Sequence, residues 1–423
     1  MMTVTRSMRA LRFGLVALAL VAACGDEPAA WLRVIHLSGN TTAIDVGFDG
    51  ERRVRALSLG QSSGYRQTSV GTLRLRVVPS EGSTAIAETE LEVEDRESRT
   101  LFLVDNGISA AVVVAQDERT ATSKGARLRL VNAISDAGKV ELATGNGTLL
   151  SDVEPGTASL YTTVSEAKPA LLLSDSLDSP LISLKALDLD ATEAHTLVVF
   201  GSSSDNDRPL VARLFSDSKD EDPGLDPELE DAQLMVLHAS PGADRVGVLV
   251  DGKELTSKLI GYMEDTGYLK VPAGRRTVAL QVATGASTFY EQKLPFKSAT
   301  RYTMAIADVP QQIKVLFLED RFPSLPAGRA ALRLLHLAPD EPAVDVKVQG
   351  DVANAFSVIA FSSASSFVPI PVGTHVFEIN GSASGTAVIS TSGLPLVEGR
   401  IYSLVLHGTQ QTGVAVDILL NRP

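Results

Sequence analysis

The sequence predicts an all-β protein built from tandem immunoglobulin-like β-sandwich modules. Three observations carry that expectation. A unit of about a hundred residues recurs four times; each unit is a chain of short apolar runs broken by Gly, Pro, Asn, Asp and Ser; and no stretch shows helix-length amphipathic periodicity.

The repeat rests on three ordered blocks. The first aligns without gaps as LRVIHLSGNTTAIDVGFDG from Leu32, LRLVNAISDAGKVELATGN from Leu128, LMVLHASPGADRVGVLVDG from Leu234 and LRLLHLAPDEPAVDVKVQG from Leu332, with the second copy the most divergent. The second block is GQSSGY from Gly60, GTASLY from Gly156, GYMEDTGY from Gly261 and FSSASSF from Phe361, each followed by a turn such as Pro272-Ala273-Gly274 or Pro371-Val372-Gly373. The third is an apolar run from Thr100, Thr196, Tyr302 and Tyr402. Runs rich in Val, Ile, Leu and Thr between the blocks, such as 73–78, 277–282 and 414–420, give seven or eight strands per unit, the number a sandwich needs.

These blocks place modules at 30–118, 126–216, 232–321 and 329–421. The last linker, 322–328, carries two prolines that stiffen it. The central linker, 217–231, holds eight acids and two prolines against one lysine and is expected to be solvated and extended, dividing the chain into two module pairs.

Residues 1–12 carry Arg6, Arg9 and Arg12 and no acid, and 13–23 is an unbroken apolar run of eleven residues. A membrane span takes roughly twenty, so 1–23 reads as a signal peptide. The run ends Leu20-Val21-Ala22-Ala23-Cys24-Gly25, which resembles the bacterial lipobox. That resemblance implies cleavage before Cys24, a diacylglyceryl thioether on its sulfur and acylation of the new amino group. The other reading is an ordinary secretory signal with a bystander cysteine. Against it, Cys24 is the sole cysteine of 423 residues and has no disulfide partner. The expected location is therefore the cell envelope, with the chain lipid-anchored to the inner or outer membrane and its body outside the cytoplasm.

The formal charge of −13 becomes more negative once three leader arginines are removed. Nucleic acid and anionic lipid surfaces are polyanions and are disfavoured as partners. The expected partners are the membrane, through lipid on Cys24, and an envelope or extracellular protein or glycan. Four hundred residues exceed one hydrophobic core, and 44% hydrophobic content lets each module bury its own without disulfides.

The first block resembles the signature of domain of unknown function family 4397, in which a hydrophobic strand leads into His-Ala-Ser-Pro-Asp-Ala-Pro, then Val-Asp-Val and a glycine turn. The likeness is carried by His336-Leu337-Ala338-Pro339-Asp340-Glu341-Pro342-Ala343-Val344-Asp345-Val346 and by His238-Ala239-Ser240-Pro241, although Gly247 stands where the family has aspartate. Ser-Gly-Tyr and Pro-Ala-Gly elements extend it through all four modules. The resemblance implies tandem modules of an envelope or secreted protein; it implies no chemistry.

The repeated histidine is the most tempting site. His36 with Asp45, and His336 with Asp345, could form His-Asp pairs across adjacent strands, with His238 the third copy; this is the hydrolytic or metal-dependent alternative. Alternation favours a structural role, because His36 shares a strand face with Leu32 and Val34, and Asn132 in the second copy suits hydrogen bonding better than general-base catalysis. No catalytic residue, metal site or cofactor is assigned, since a zinc site takes three or four convergent ligands and no such cluster is spaced here. Gly60-Gln61-Ser62-Ser63-Gly64 matches the nucleophile-elbow pattern, but no helical pattern follows Gly64, so a turn is expected. Tyr65, Tyr161, Tyr268 and Phe367 could line a glycan surface; a core plug at a sandwich corner is preferred, and aromatic content is only 5%, with Trp31 the single tryptophan. The acidic linker lacks the regular spacing of a calcium loop. The expected protein is non-enzymatic and displays repeated interaction modules, with periplasmic glycan or peptide binding as a further alternative.

Overall fold

The computed structural model describes residues 28–105, 110–119, 125–205, 207–283 and 287–422; the leader and Cys24 lie outside them. The described residues are all-β, as expected, and form tandem sandwiches. The first module has eight strands: β1 (Ala29–His36), β2 (Ala43–Phe48), β3 (Glu51–Ser58), β4 (Arg66–Ser69), β5 (Gly71–Pro79), β6 (Ala87–Val93), β7 (Ser98–Asp105) and β8 (Ala110–Gln116). One sheet has the order β4-β1-β7-β8, the other β3-β2-β5-β6. The central pair β1 and β7 is parallel, with Arg33 opposite Thr100 and His36 opposite Leu103; the remaining pairs are antiparallel.

The same parallel pairing joins Ala126–Ile134 to Ala194–Gly201, Ala232–His238 to Arg301–Ala307 and Arg329–His336 to Ile401–Thr409. It arises because the first and third sequence blocks are the most apolar runs of each unit. A strand buried on both faces reads as a continuous hydrophobic run. Leu32 and Val34 enter the core of the first sandwich with Ile44, Val46, Leu75 and Leu101. The other three modules have equivalent cores of their own.

Residues pointing the other way from the same strands are also buried, and they join the modules in twos. Ile35, Leu37, Phe102 and Val104 of module 1 pack on Val131, Ala133, Val198, Phe200 and Phe215 of module 2. Leu237, Ala239, Ala305 and Ala307 of module 3 pack on Leu335, Leu337 and Val405 of module 4. Each fully buried Leu, Ile or Phe contributes about 1.5–3 kcal/mol, so these are substantial apolar interfaces. Modules 2 and 3 are joined by polar contacts as well: Ser183 N–H donates to Ser298 Oγ (2.7 Å), and Arg275 pairs with Asp207 (3.1 Å).

The central linker departs from the extended, solvated segment expected from its composition. Leu225 exchanges two backbone hydrogen bonds with Leu214 (2.8 Å each), Lys185 N–H donates to Glu228 O (2.8 Å), and Pro227 is buried. Its acids find cations: Asp220 pairs with Arg119, Glu221 with Arg66, Asp226 with Arg213 and Glu228 with Lys185. The counter-charges come from residues distant in sequence, which neutralises the repulsion that composition alone suggests.

Candidate functional site

The repeated histidines lie where the first strand of each module enters its loop. His36 Nε2 is 3.1 Å from Thr41 O, His238 Nε2 is 3.0 Å from Asp244 O, and His336 Nε2 is 2.9 Å from Pro342 O. A carbonyl only accepts, so each Nε2 carries the proton. In module 3 the second ring nitrogen, Nδ1, accepts from Ser240 N–H (3.2 Å), while Nδ1 of His36 and of His336 is buried without a partner. Burial lowers the pKa of all three imidazoles, outweighing the loop carbonyls that favour the proton. Asn132 reproduces the arrangement: its amide donates to Gly138 O and Val153 O (3.0 Å each), and its Oδ1 accepts from Ile134 N–H.

The His-Asp pairs of the hydrolytic alternative are not formed. Asp45 accepts instead from Ala56 N–H (2.7 Å) and Ser80 Oγ (3.0 Å) and pairs with Arg52 (3.1 Å). Asp345 accepts from Val358 N–H (2.8 Å), Ser382 Oγ (2.5 Å) and Asn354 (3.0 Å). Both carboxylates pin the bulged hairpin after the first loop, and these bonds hold each below the usual carboxylate range even where burial opposes it. Among the described residues no group of three or more His, Cys, Asp or Glu could hold a metal ion.

Gly60-Gln61-Ser62-Ser63-Gly64 is a turn followed by a strand. Ser63 Oγ accepts from Val34 N–H (2.9 Å) and donates to Gly64 O (2.8 Å), filling a gap in the ladder beside β1. Ser159, Thr266 and Ser365 make the same two bonds in the other modules. Sequence reasoning passed over this hydroxyl, although it stands two residues before each repeated aromatic.

Those aromatics lead to a heavily charged buried assembly. They do not plug a core; they flank the seam between paired modules. Arg33 and Arg129 are almost wholly buried, and each pairs across the seam: Arg33 with Asp217 at the end of module 2, Arg129 with Asp117 at the end of module 1. Thr100 accepts from Arg33 Nε (2.9 Å) and donates to Asp117 (2.7 Å); Thr196 accepts from Arg129 Nε (2.8 Å) and donates to Asp217 (2.7 Å). Tyr65 O–H donates to Asp117 and Tyr161 O–H to Asp217, both at 2.7 Å. Each guanidinium also lies over the ring of its own module, Arg33 at 4.6 Å from the Tyr65 centroid and Arg129 at 4.7 Å from that of Tyr161.

The electrostatics follow from that enclosure. Burial opposes charge on both guanidiniums, but the facing carboxylates outweigh it and raise their pKa. Asp217 is buried too, yet Arg33 and Arg129 together hold its carboxyl below the usual range. Burial pushes Asp117 up in spite of Arg129 and Arg33, and pushes the Tyr65 and Tyr161 phenols up as well. Buried, mutually satisfied charge of this kind fixes how two modules register. It offers no open position for a reacting group.

The model of the family described as "Domain of unknown function (DUF4397)" matches residues 30–143 and 232–347, more than half of the chain. The chain belongs to that family. The two matched stretches begin at the first strands of modules 1 and 3, the leading members of the two pairs, so each DUF4397 match covers one module and the opening strands of its partner. The chain is also similar to the solved structure of "The Bacillus anthracis TIE protein", at 11% identity and a TM-score of 0.18, over 90% of this chain and 68% of that one. No curated protein matches the chain.

Proposed function

We propose that this is a lipid-anchored envelope protein whose paired β-sandwiches act as a non-catalytic display of interaction surfaces. The tandem DUF4397 modules give no positive sign of catalysis: the histidines hold loops, Asp45 and Asp345 hold hairpins, and the buried charges hold modules together. The observation that carries this reading is the use of buried chemistry for joining modules, so that what remains for function is the outer surface. A lipid on Cys24 would hold one end at the membrane, and several acyl chains do so durably at about 0.8 kcal/mol per buried methylene. The partner is an envelope protein or a glycan, and repeated modules add reach and multivalency.

A second reading, glycan or peptide binding, is favoured by a concavity of about 710 Å3 on the outer sheet of module 1, lined by Asp45, Arg52, Arg74, Arg76, Glu88 and Glu90. It forms because Gly47 sits between long side chains on both neighbouring strands. Fractionation of cells expressing the chain and its Cys24→Ala variant tests the anchor. The wild type should partition with membranes and incorporate labelled palmitate. Equal partitioning of the two, without label, would overturn the reading.

A further inference from the structure

We infer that β8 of module 1 is an open sheet edge on which a second copy of this chain adds, strand to strand, to form a two-fold dimer. The inference goes beyond the anchored-display reading and stands without it.

Every module ends its inner sheet with an equivalent edge strand: Ala110–Gln116, Val211–Ser216, Lys314–Glu319 and Gly413–Arg422. An exposed edge presents unpaired N–H and C=O groups, and proteins blunt such edges with charge or a covering segment. Three of the four strands are blunted. In module 2, Arg213 stands mid-strand, and the linker residue Leu225 exchanges both backbone hydrogen bonds with Leu214. In module 4 the equivalent mid-strand residue is Asp417, which is exposed. In module 3, Lys314 and Glu319 close the two ends of the strand.

Among the described residues β8 has none of these devices. It reads Ala-Ala-Val-Val-Val-Ala-Gln, without charge, proline or glycine, and the composition matches that of segments prone to cross-strand pairing. Val114 is 37% exposed. Among the described residues β8 pairs with β7 alone; beyond that ladder, Gln116 O accepts from Arg129. Val114 holds the register position of Leu214, so the chain itself shows, one module later, that this edge accepts a further segment.

The sequence also says which occupant fits. Turned antiparallel about Val113, the strand is nearly its own complement: Val112 meets Val114, and Ala111 meets Ala115. No like charges oppose one another, and an isologous two-fold contact closes on itself rather than propagating.

The test uses the full chain in mild detergent, with Cys24→Ser so that the introduced thiol is the only one. Val113→Cys should give an interchain disulfide on mild oxidation, because a two-fold at Val113 brings the two Cα atoms to about 4.5–5.5 Å, within disulfide reach. Val211→Cys, on the covered edge of module 2, should not. Sedimentation should show a dimer that Val114→Lys weakens at least about tenfold without altering the thermal melt. A monomeric wild type, a dimer indifferent to Val114→Lys, or equal cross-linking at both positions would overturn the proposal.

Discussion

The two module pairs use one architecture and two electrostatic solutions. In the first pair two ion pairs cross the seam, Arg33 with Asp217 and Arg129 with Asp117. In the second, among the described residues, only one crosses, Arg333 with Asp320 (2.6 Å), joined by Thr303 and Tyr268. The missing pair has been replaced on both sides. Met235 stands at the register position of Arg33, and Asn421, in a bulge of the last strand, takes the side-chain place of Asp217: it accepts from Ser403 (2.6 Å) as Asp217 accepts from Thr196. Phe367 takes the place of Tyr161 and keeps the guanidinium contact, 4.5 Å from Arg333, while losing the hydroxyl that only a carboxylate would need. The apolar contacts differ too: large rings, Phe102, Phe200 and Phe215, fill the first seam, whereas Ala239, Ala305 and Ala307 line the second. The difference teaches that a buried charge pair here is dispensable as a unit, but neither half is dispensable alone.

The largest expected effect breaks that unit. Arg33→Met leaves Asp217 buried, with Arg129 at 4.0 Å as its nearest cation, and should cost pair 1 about 3–5 kcal/mol. Adding Asp217→Asn, which recreates the composition of the second pair, should recover most of the loss. Trp31, the single tryptophan, lies on β1, so urea unfolding followed by its fluorescence reports on pair 1. A double variant no more stable than Arg33→Met would refute the comparison.

Acid should separate the pairs next. Burial lowers the pKa of His238, His336 and His407 in pair 2; the corresponding first-block positions of pair 1 hold His36 and the untitratable Asn132. A depressed histidine binds its proton more readily unfolded. Its stabilising contribution is complete above the unfolded pKa, near 6.5, and is lost as pH falls toward the folded one, by up to about 1.4 kcal/mol per pH unit for each group. Urea unfolding at pH 7.5 and 5.5, followed by hydrogen exchange in peptides from 28–216 and 232–422, should show the larger loss in the second set.

A smaller effect sharpens the exchange of Tyr161 for Phe367. Tyr161→Phe in the wild type removes a donor from a buried carboxylate and should cost about 1.5–3 kcal/mol by the Trp31 assay. In the Arg33→Met, Asp217→Asn background the same substitution should cost less than about 1 kcal/mol, because the carboxylate is gone. Equal costs in both backgrounds would show that the hydroxyl acts independently of the charge.

Much of this molecule can be read locally, and the seam cannot. Strands, turns and the fourfold repeat follow from alternation and from Gly and Pro placement, which need only neighbouring residues. The face carrying Leu32, Val34 and His36 reads as a core face. The opposite face, Arg33, Ile35 and Leu37, carried an equal signal: an arginine followed by two apolar residues on a strand already buried on its other side. Its meaning depended on Asp217, 184 residues away in a stretch whose composition suggested a solvated spacer. For the same reason the acidic linker misled, since two of its cations, Arg66 and Arg119, lie in or next to module 1, about a hundred residues or more away.

The smallest predicted effect concerns the histidines, whose replacement by Asn132 in one module is an experiment already present in the chain. His336→Asn should hold the Pro342 loop through its amide N–H, as Asn132 holds the Gly138 loop, and should cost about 1 kcal/mol or less. It should also remove one of the three acid-sensitive groups of pair 2, so that the pH-dependent loss in peptides from 329–422 shrinks. His336→Leu, which keeps the volume and removes the donor, should cost more at neutral pH because the loop carbonyl loses its partner. If Asn and Leu destabilise equally, the bond to the loop is not what this position contributes, and the match between His336 and Asn132 is geometric coincidence.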